Sequence, residues 1–166
     1  MNKNKSNQSP EEKVINNPSL GEGLGAGLSL LFICLGNICR SPAAEGVMKH
    51  IVEREGREAD IVIDSAGIGG WHVGQLPDHR MRRRGATRGY EFCSRARQFS
   101  SADFGRFDLI LVMDHENYYD VARQARNDAD RQKIMMISDF DFALDLIEDA
   151  CEGLFAYLCR KEHVNS

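Results

Sequence analysis

Leu28-Ser29-Leu30-Leu31-Phe32-Ile33-Cys34-Leu35-Gly36-Asn37-Ile38-Cys39-Arg40-Ser41-Pro42 is the stretch on which the fold of this 166-residue chain turns. Its first half is a short, almost wholly apolar run, the pattern of a strand buried on both faces. Ser41 is a good helix cap, and Pro42 suits a first helical position because its missing N–H is not needed there. Ala44, Val47, Met48, Ile51 and Val52 then repeat at i, i+3, i+4, i+7 and i+8, one buried helix face, and Gly56 is the expected stop. The reading is strand, tight loop, helix N-terminus. Such a loop gathers backbone N–H groups and a positive dipole end around one small volume, which favours an anion.

That loop opens with a thiol and closes with a guanidinium. Cys34, at the strand end, faces the same donors that would hold the anion. Those donors, Arg40 and the Ser41 hydroxyl all favour sulfur in its ionised form. Arg40 can bind two phosphate oxygens at once through its planar fork. Gly36 permits close backbone approach, and Asn37 tolerates a left-handed conformation. A nucleophile and an oxyanion cradle thus share one loop, as covalent phosphoryl transfer requires. The plain alternative for Cys34 is a buried structural cysteine; its place before a Gly-Asn loop with Arg40 six residues on argues for catalysis.

Around this unit the chain repeats the same alternation. Nearly continuous apolar runs at 28–34, 60–64, 107–113 and 133–137 suit strands of a parallel sheet. Helical patterns lie between them at 42–55, 78–88 and 115–126, and Ser100-Ser101-Ala102-Asp103 has the form of a capping box opening a short helix. A long amphipathic helix over about 141–160 carries Ala143, Ile147, Ala150, Cys151, Leu154, Phe155 and Leu158 on one stripe. The expected fold is α/β: a single doubly wound domain with a four-stranded parallel sheet flanked by helices, over 28–166. Residues 1–27 are polar, then glycine-rich, and have too little apolar surface to offset ordering entropy; they are expected to form a disordered N-terminal tail.

The bulk numbers narrow the partners. A net charge of −4 does not suggest nucleic-acid binding, and no apolar run reaches transmembrane length. Five cysteines with no C-x2-C pair argue for a reducing compartment, hence a cytoplasmic location, and against a zinc site or disulfide framework. The oligomeric state is not legible.

Cys34–Pro42 resembles the Cys-x5-Arg-Ser-Pro phosphate loop of the low-molecular-weight protein tyrosine phosphatases. Further segments agree: Asp64-Ser65-Ala66-Gly67, Trp71-His72 and Gly74, Asp78 and Arg80, Arg95-Ala96-Arg97-Gln98, and Asp108–Asp114 followed by Asn117. The resemblance implies Cys34 and Arg40 as catalytic residues, with Leu35, Gly36, Asn37, Ile38, Cys39, Arg40 and Ser41 lining the phosphate. It implies Trp71 as a rim aromatic stacking on a substrate ring, where ordinary packing is the alternative. The substrate would be a phosphotyrosine-containing protein or a small aryl phosphate, with no cofactor or metal required. Tyr118 and Tyr119 fall on the third-strand side of the mouth by the same resemblance, or simply pack. Cys39 reads either as a core residue or as a redox partner of Cys34.

Two departures stand out. Ser94 replaces the family's usual His. More important, the family carries an Asp-Pro-Tyr/Phe loop between the fourth strand and the last helix, and its Asp is the general acid. Here the prolines stand only at 10, 18, 42 and 77, and Ile134–Phe140 runs almost directly into the last helix. The acid loop reads as deleted, leaving Asp139 and Asp141 as weak substitutes, better read as helix caps or solvated side chains. The resemblance therefore implies a phosphatase working through a phosphocysteine on Cys34. The alternative is a catalytically impaired phosphate or phosphotyrosine binder. An arsenate reductase on the same scaffold would need a cysteine relay, which Cys93, Cys151 and Cys159 do not suggest by position. His72 and His79 read as structural or exposed, and Arg82, Arg83, Arg84 and Arg88 as a solvated basic face.

Overall fold

The computed structural model describes residues 27–137 and 144–164. Four strands, β1 (Leu28–Cys34), β2 (Ile61–Gly67), β3 (Leu109–Val112) and β4 (Ile134–Met136), form one parallel sheet in the order β2-β1-β3-β4. Among the described residues, five α-helices accompany them: α1 (Arg40–Arg54), α2 (His79–Thr87), α3 (His115–Arg123), α4 (Asp128–Gln132) and α5 (Leu144–Val164). A 3-10 turn spans Ser101–Gly105, opened by the expected capping box between Ser100 and Asp103.

Why β1 is central follows from its composition. Leu30, Leu31, Phe32 and Ile33 are all fully buried, so both faces of the strand are covered. Side chains alternate across a strand. Leu30, Phe32 and Cys34 therefore join the layer built by α1 and α5, with Val47, Met48, Ile51, Cys151, Leu154 and Leu158. Leu31 and Ile33 join the opposite layer, with Phe99, Phe104, Phe107, Ile110, Val112 and Val121. Each such fully buried aliphatic or aromatic side chain contributes about 1.5–3 kcal/mol relative to exposure. Phe92 is wedged between two helices at glycines: a methyl on Gly46 of α1 or Gly85 of α2 would collide with its ring.

The expected elements are present, with three corrections at their ends and one short helix added. β2 runs on to Gly67, where the apolar run had suggested 64, because Ala66 and Gly67 pair with Ile33 and Cys34. α1 begins at Arg40 with Cys39 at its cap position, not with Ser41 as cap, for the Ser41 hydroxyl is engaged inside the loop. Helix α3 stops at Arg123 rather than 126. A separate short helix, α4, follows, capped by Asn127 through the Asp130 amide. α5 is described from Leu144. Residues 1–26 of the expected 1–27 tail and the two acids Asp139 and Asp141 lie outside the described residues.

Candidate active site

All four parallel strands end on one side of the sheet, the side where open α/β sheets bind ligands. The turn after β1 lies there. Asn37 has φ 56°, the left-handed conformation that the tight loop demands of it. Its side chain secures the turn from within. The amide nitrogen donates to Ser41 Oγ and to Ser65 Oγ, each at 2.9 Å, and Oδ1 accepts the Arg97 amide at 3.0 Å. With both amide hydrogens used, one side chain links the loop, the end of β2 and the 95–98 segment.

Cys34 Sγ lies 2.9 Å from Ser41 Oγ, and the residue is only 3% exposed. Ser41 receives its hydrogen bond from Asn37, so its own proton is available to the sulfur, 2.9 Å away, or to the Ala66 carbonyl, 3.5 Å away. The shorter contact favours the sulfur. The far branch of the Asn37 network ends on a buried carboxylate. Ser65 Oγ donates to Glu45 Oε2 at 2.5 Å, and Lys49 Nζ reaches Glu45 Oε1 at 2.6 Å from the surface. Glu45 sits among the apolar positions of α1 yet is 3% exposed, which is tolerable because it is both paired and hydrogen-bonded.

Arg40 begins α1, and its guanidinium is aimed by Asp114: Nη1 lies 2.9 Å from Oδ2. The other oxygen of Asp114 caps α3 through the Asn117 amide at 2.8 Å. One carboxylate thus ties the expected phosphate fork to the β3–α3 turn. Outside the loop, the Asp78 amide donates to the Ile38 carbonyl at 2.6 Å, and the Asp78 side chain caps α2. Arg97 is clamped by Asp64 at 2.9 Å and by the buried Asp103 at 3.2 Å, which keeps its backbone in register with Asn37. Gly67 leaves room for this packing; a methyl there would lie 2.9 Å from the Asn37 backbone nitrogen.

Cys39 is half-buried in the same loop. Burial pushes its thiol up from the ordinary value, with the Cys34 sulfur and the Asp78 carboxylate adding to the shift. Cys151 is fully buried, and burial pushes its thiol up as well. Cys93 is exposed. Leu35, at 51% exposure, and Trp71, at 69%, are exposed apolar side chains flanking the loop and the segment docked on it. That segment is held by main-chain bonds from Ile68 N to the Cys34 carbonyl and from Gly69 N to the Leu35 carbonyl. Tyr119 is exposed and meets Tyr118 edge to face. The structure brings Cys34 through Ser41 together as one loop. It adds Glu45, which the sequence reading did not name, and gives a place to residues quoted there only within matching segments or read as ordinary: Ser65, Arg97 and Asp114 as supports, and His72 against Gly36.

Comparisons place this geometry. The profile of the low molecular weight phosphotyrosine protein phosphatase family matches residues 29–144. The chain belongs to that family. It is 43% identical over 158 residues to a putative low molecular weight protein-tyrosine-phosphatase of Synechocystis sp., covering 83% of this chain and 100% of the relative. A low molecular weight phosphotyrosine protein phosphatase of Sus scrofa is 39% identical over 127 residues, 75% of this chain and 80% of the relative. Among solved structures, a protein tyrosine phosphatase of Entamoeba histolytica superposes with a TM-score of 0.76 at 38% identity, covering 82% of this chain and 99% of that one.

Proposed function

We propose that the chain hydrolyses aryl phosphate monoesters, phosphotyrosine in proteins foremost, through a phosphocysteine on Cys34. The observation that carries this reading is the Ser41 hydroxyl set against Cys34 Sγ at 2.9 Å, in a loop closed by an aimed Arg40. Thiolate attacks phosphorus, the P–O bond to the aryl group breaks, and the loop amides with Arg40 hold the equatorial oxygens. Water then attacks the phosphocysteine and releases phosphate. The depth of the sulfur favours a flat ring that presents its phosphate end-on, and exposed Leu35 and Trp71 supply apolar surface for that ring.

Several observations support a missing acid loop. No more than residues 137–143 separate β4 from the described start of α5. The family match stops at residue 144, whereas α5 continues to Val164. The Synechocystis alignment is longer than the part of this chain within it, so that relative has positions with no counterpart here. A tyrosine leaving group has a pKa of about 10. A positioned acid contributes roughly 10²–10⁴ in rate, so its loss would fall on phosphotyrosine far more than on an activated ester.

Free cysteines at every described position suit a reducing, cytoplasmic setting, which a thiol nucleophile needs. Among the described residues, no helix is long and apolar enough to cross a membrane. The test is phosphate release from a phosphotyrosine peptide, a phosphoserine peptide and 4-nitrophenyl phosphate. Release from the two aryl esters, absent in Cys34→Ser, is expected. Release that survives Cys34→Ser would overturn the reading.

A further inference from the structure

We propose that His72 supplies the proton to the departing phenol. The proposal rests on the phosphatase reading above and concerns the step in which the aryl group leaves. The ring of His72 lies against the phosphate loop: a methyl on Gly36 would sit 3.0 Å from its Cδ2 and 3.7 Å from its Nε2. The other nitrogen faces away from the loop contact, with Nδ1 3.1 Å from Gln75 Oε1. With the Gln75 oxygen as acceptor, Nδ1 donates there, and the second proton of the imidazolium is carried by Nε2, on the loop side.

The ring is also held in place. Ile68 and Gly69 donate to the carbonyls of Cys34 and Leu35, Gly74 donates to Ala96, and Ala96 donates to Gln75, all between 2.8 and 3.0 Å. Gln75 N closes the turn on the His72 carbonyl at 2.9 Å. The segment bearing His72 is therefore docked on both the nucleophile loop and the 95–98 segment, and an imidazole so fixed needs little reordering to act. His72 is half-buried, open enough to exchange its proton with water.

The step balances without another reactant. Cys34 sulfur forms the S–P bond, the P–O(aryl) bond breaks, and the Nε2 proton passes to the phenolate oxygen, leaving neutral imidazole. Water attacking the phosphocysteine returns its proton to Nε2 as phosphate departs on the second step.

The test compares kcat/KM, which reports the step that expels the leaving group, for phosphotyrosine and 4-nitrophenyl phosphate. His72→Asn keeps a polar group able to bond Gln75 but has no proton to give. It is expected to lose roughly 10²-fold on phosphotyrosine and less than about threefold on the nitrophenyl ester. Equal losses on the two esters, or no loss on either, would overturn the assignment, and a loss of that pattern in Asp139→Asn or Asp141→Asn instead would place the acid there. His72→Gln guards against a folding defect: it should reproduce the same selectivity pattern, and a flat one would overturn the proposal. Failure of the phosphatase reading is distinguishable, because the parent would then turn over neither ester.

Discussion

The ends of β1 and β4 lie on the same side of one sheet, yet they are built very differently. β1 lies between β2 and β3, and the turn after it is fastened by Asn37, Ser41, Ser65, Arg97 and Asp78 from several separate segments. β4 is a three-residue edge strand, and no more than residues 137–143 separate it from the described start of α5. A turn fastened from all sides cannot change length without breaking its supports. A connection from an edge strand can, because loop closure depends only weakly on length. The proposed nucleophile and phosphate cradle therefore belong to the fastened end, and the family's acid loop to the end that tolerates a change of length. Our account is that this chain keeps the first and takes its proton from the rim of the same loop.

Four changes probe that division. The largest effect belongs to the rigid end: Cys34→Ser should reduce phosphate release by roughly 10⁴–10⁶-fold while inorganic phosphate still competes for the loop, measured by turnover alongside equilibrium titration. Next, an Asp-Pro-Tyr loop grafted between Ile137 and Leu144 into the His72→Asn background should restore roughly 10²-fold on phosphotyrosine and change the nitrophenyl ester little. Failure of the graft to favour the poorer leaving group would break the contrast between the two ends.

Arg40→Lys should cost roughly 10²–10³-fold in kcat/KM, because a point charge replaces a planar fork aimed by Asp114. The smallest effect is on the scaffold. Asn37→Ala puts a residue less tolerant of the left-handed region at φ 56° and removes three hydrogen bonds, so denaturant unfolding should show a loss of about 1–3 kcal/mol. Unchanged stability would mean that the loop is held by its backbone alone.

What was legible in the sequence follows the range of the interactions. The β1–loop–α1 unit is local: an apolar run, a Gly-Asn turn and Pro42 announce it within fifteen residues or so. Strand order is not local, and nothing in the individual runs places β1 between β2 and β3. Glu45 interrupts the apolar face of α1, and that interruption was a signal. Its partner Ser65 lies 20 positions away, and the Arg97 amide that meets Asn37 lies 60 away, so neither pairing shows in a window. Helix α4 is five residues of mostly charged sequence with no apolar stripe, and only Asn127 as a cap announced it. His72 read as an ordinary histidine because its contact with Gly36 arises from the backbone docking of residues 68–69, which pattern alone does not encode.

The central claim is that phosphorus is transferred to the Cys34 sulfur in a chain whose β4–α5 join is short. The most direct measurement is mass spectrometry of protein quenched in acid within milliseconds of mixing with 4-nitrophenyl phosphate, followed by mapping of the modified peptide. The account predicts one phosphoryl group on the peptide containing Cys34, appearing with the burst of nitrophenol and lost as phosphate is released. A burst with no adduct, or an adduct mapped to any other residue, would contradict it.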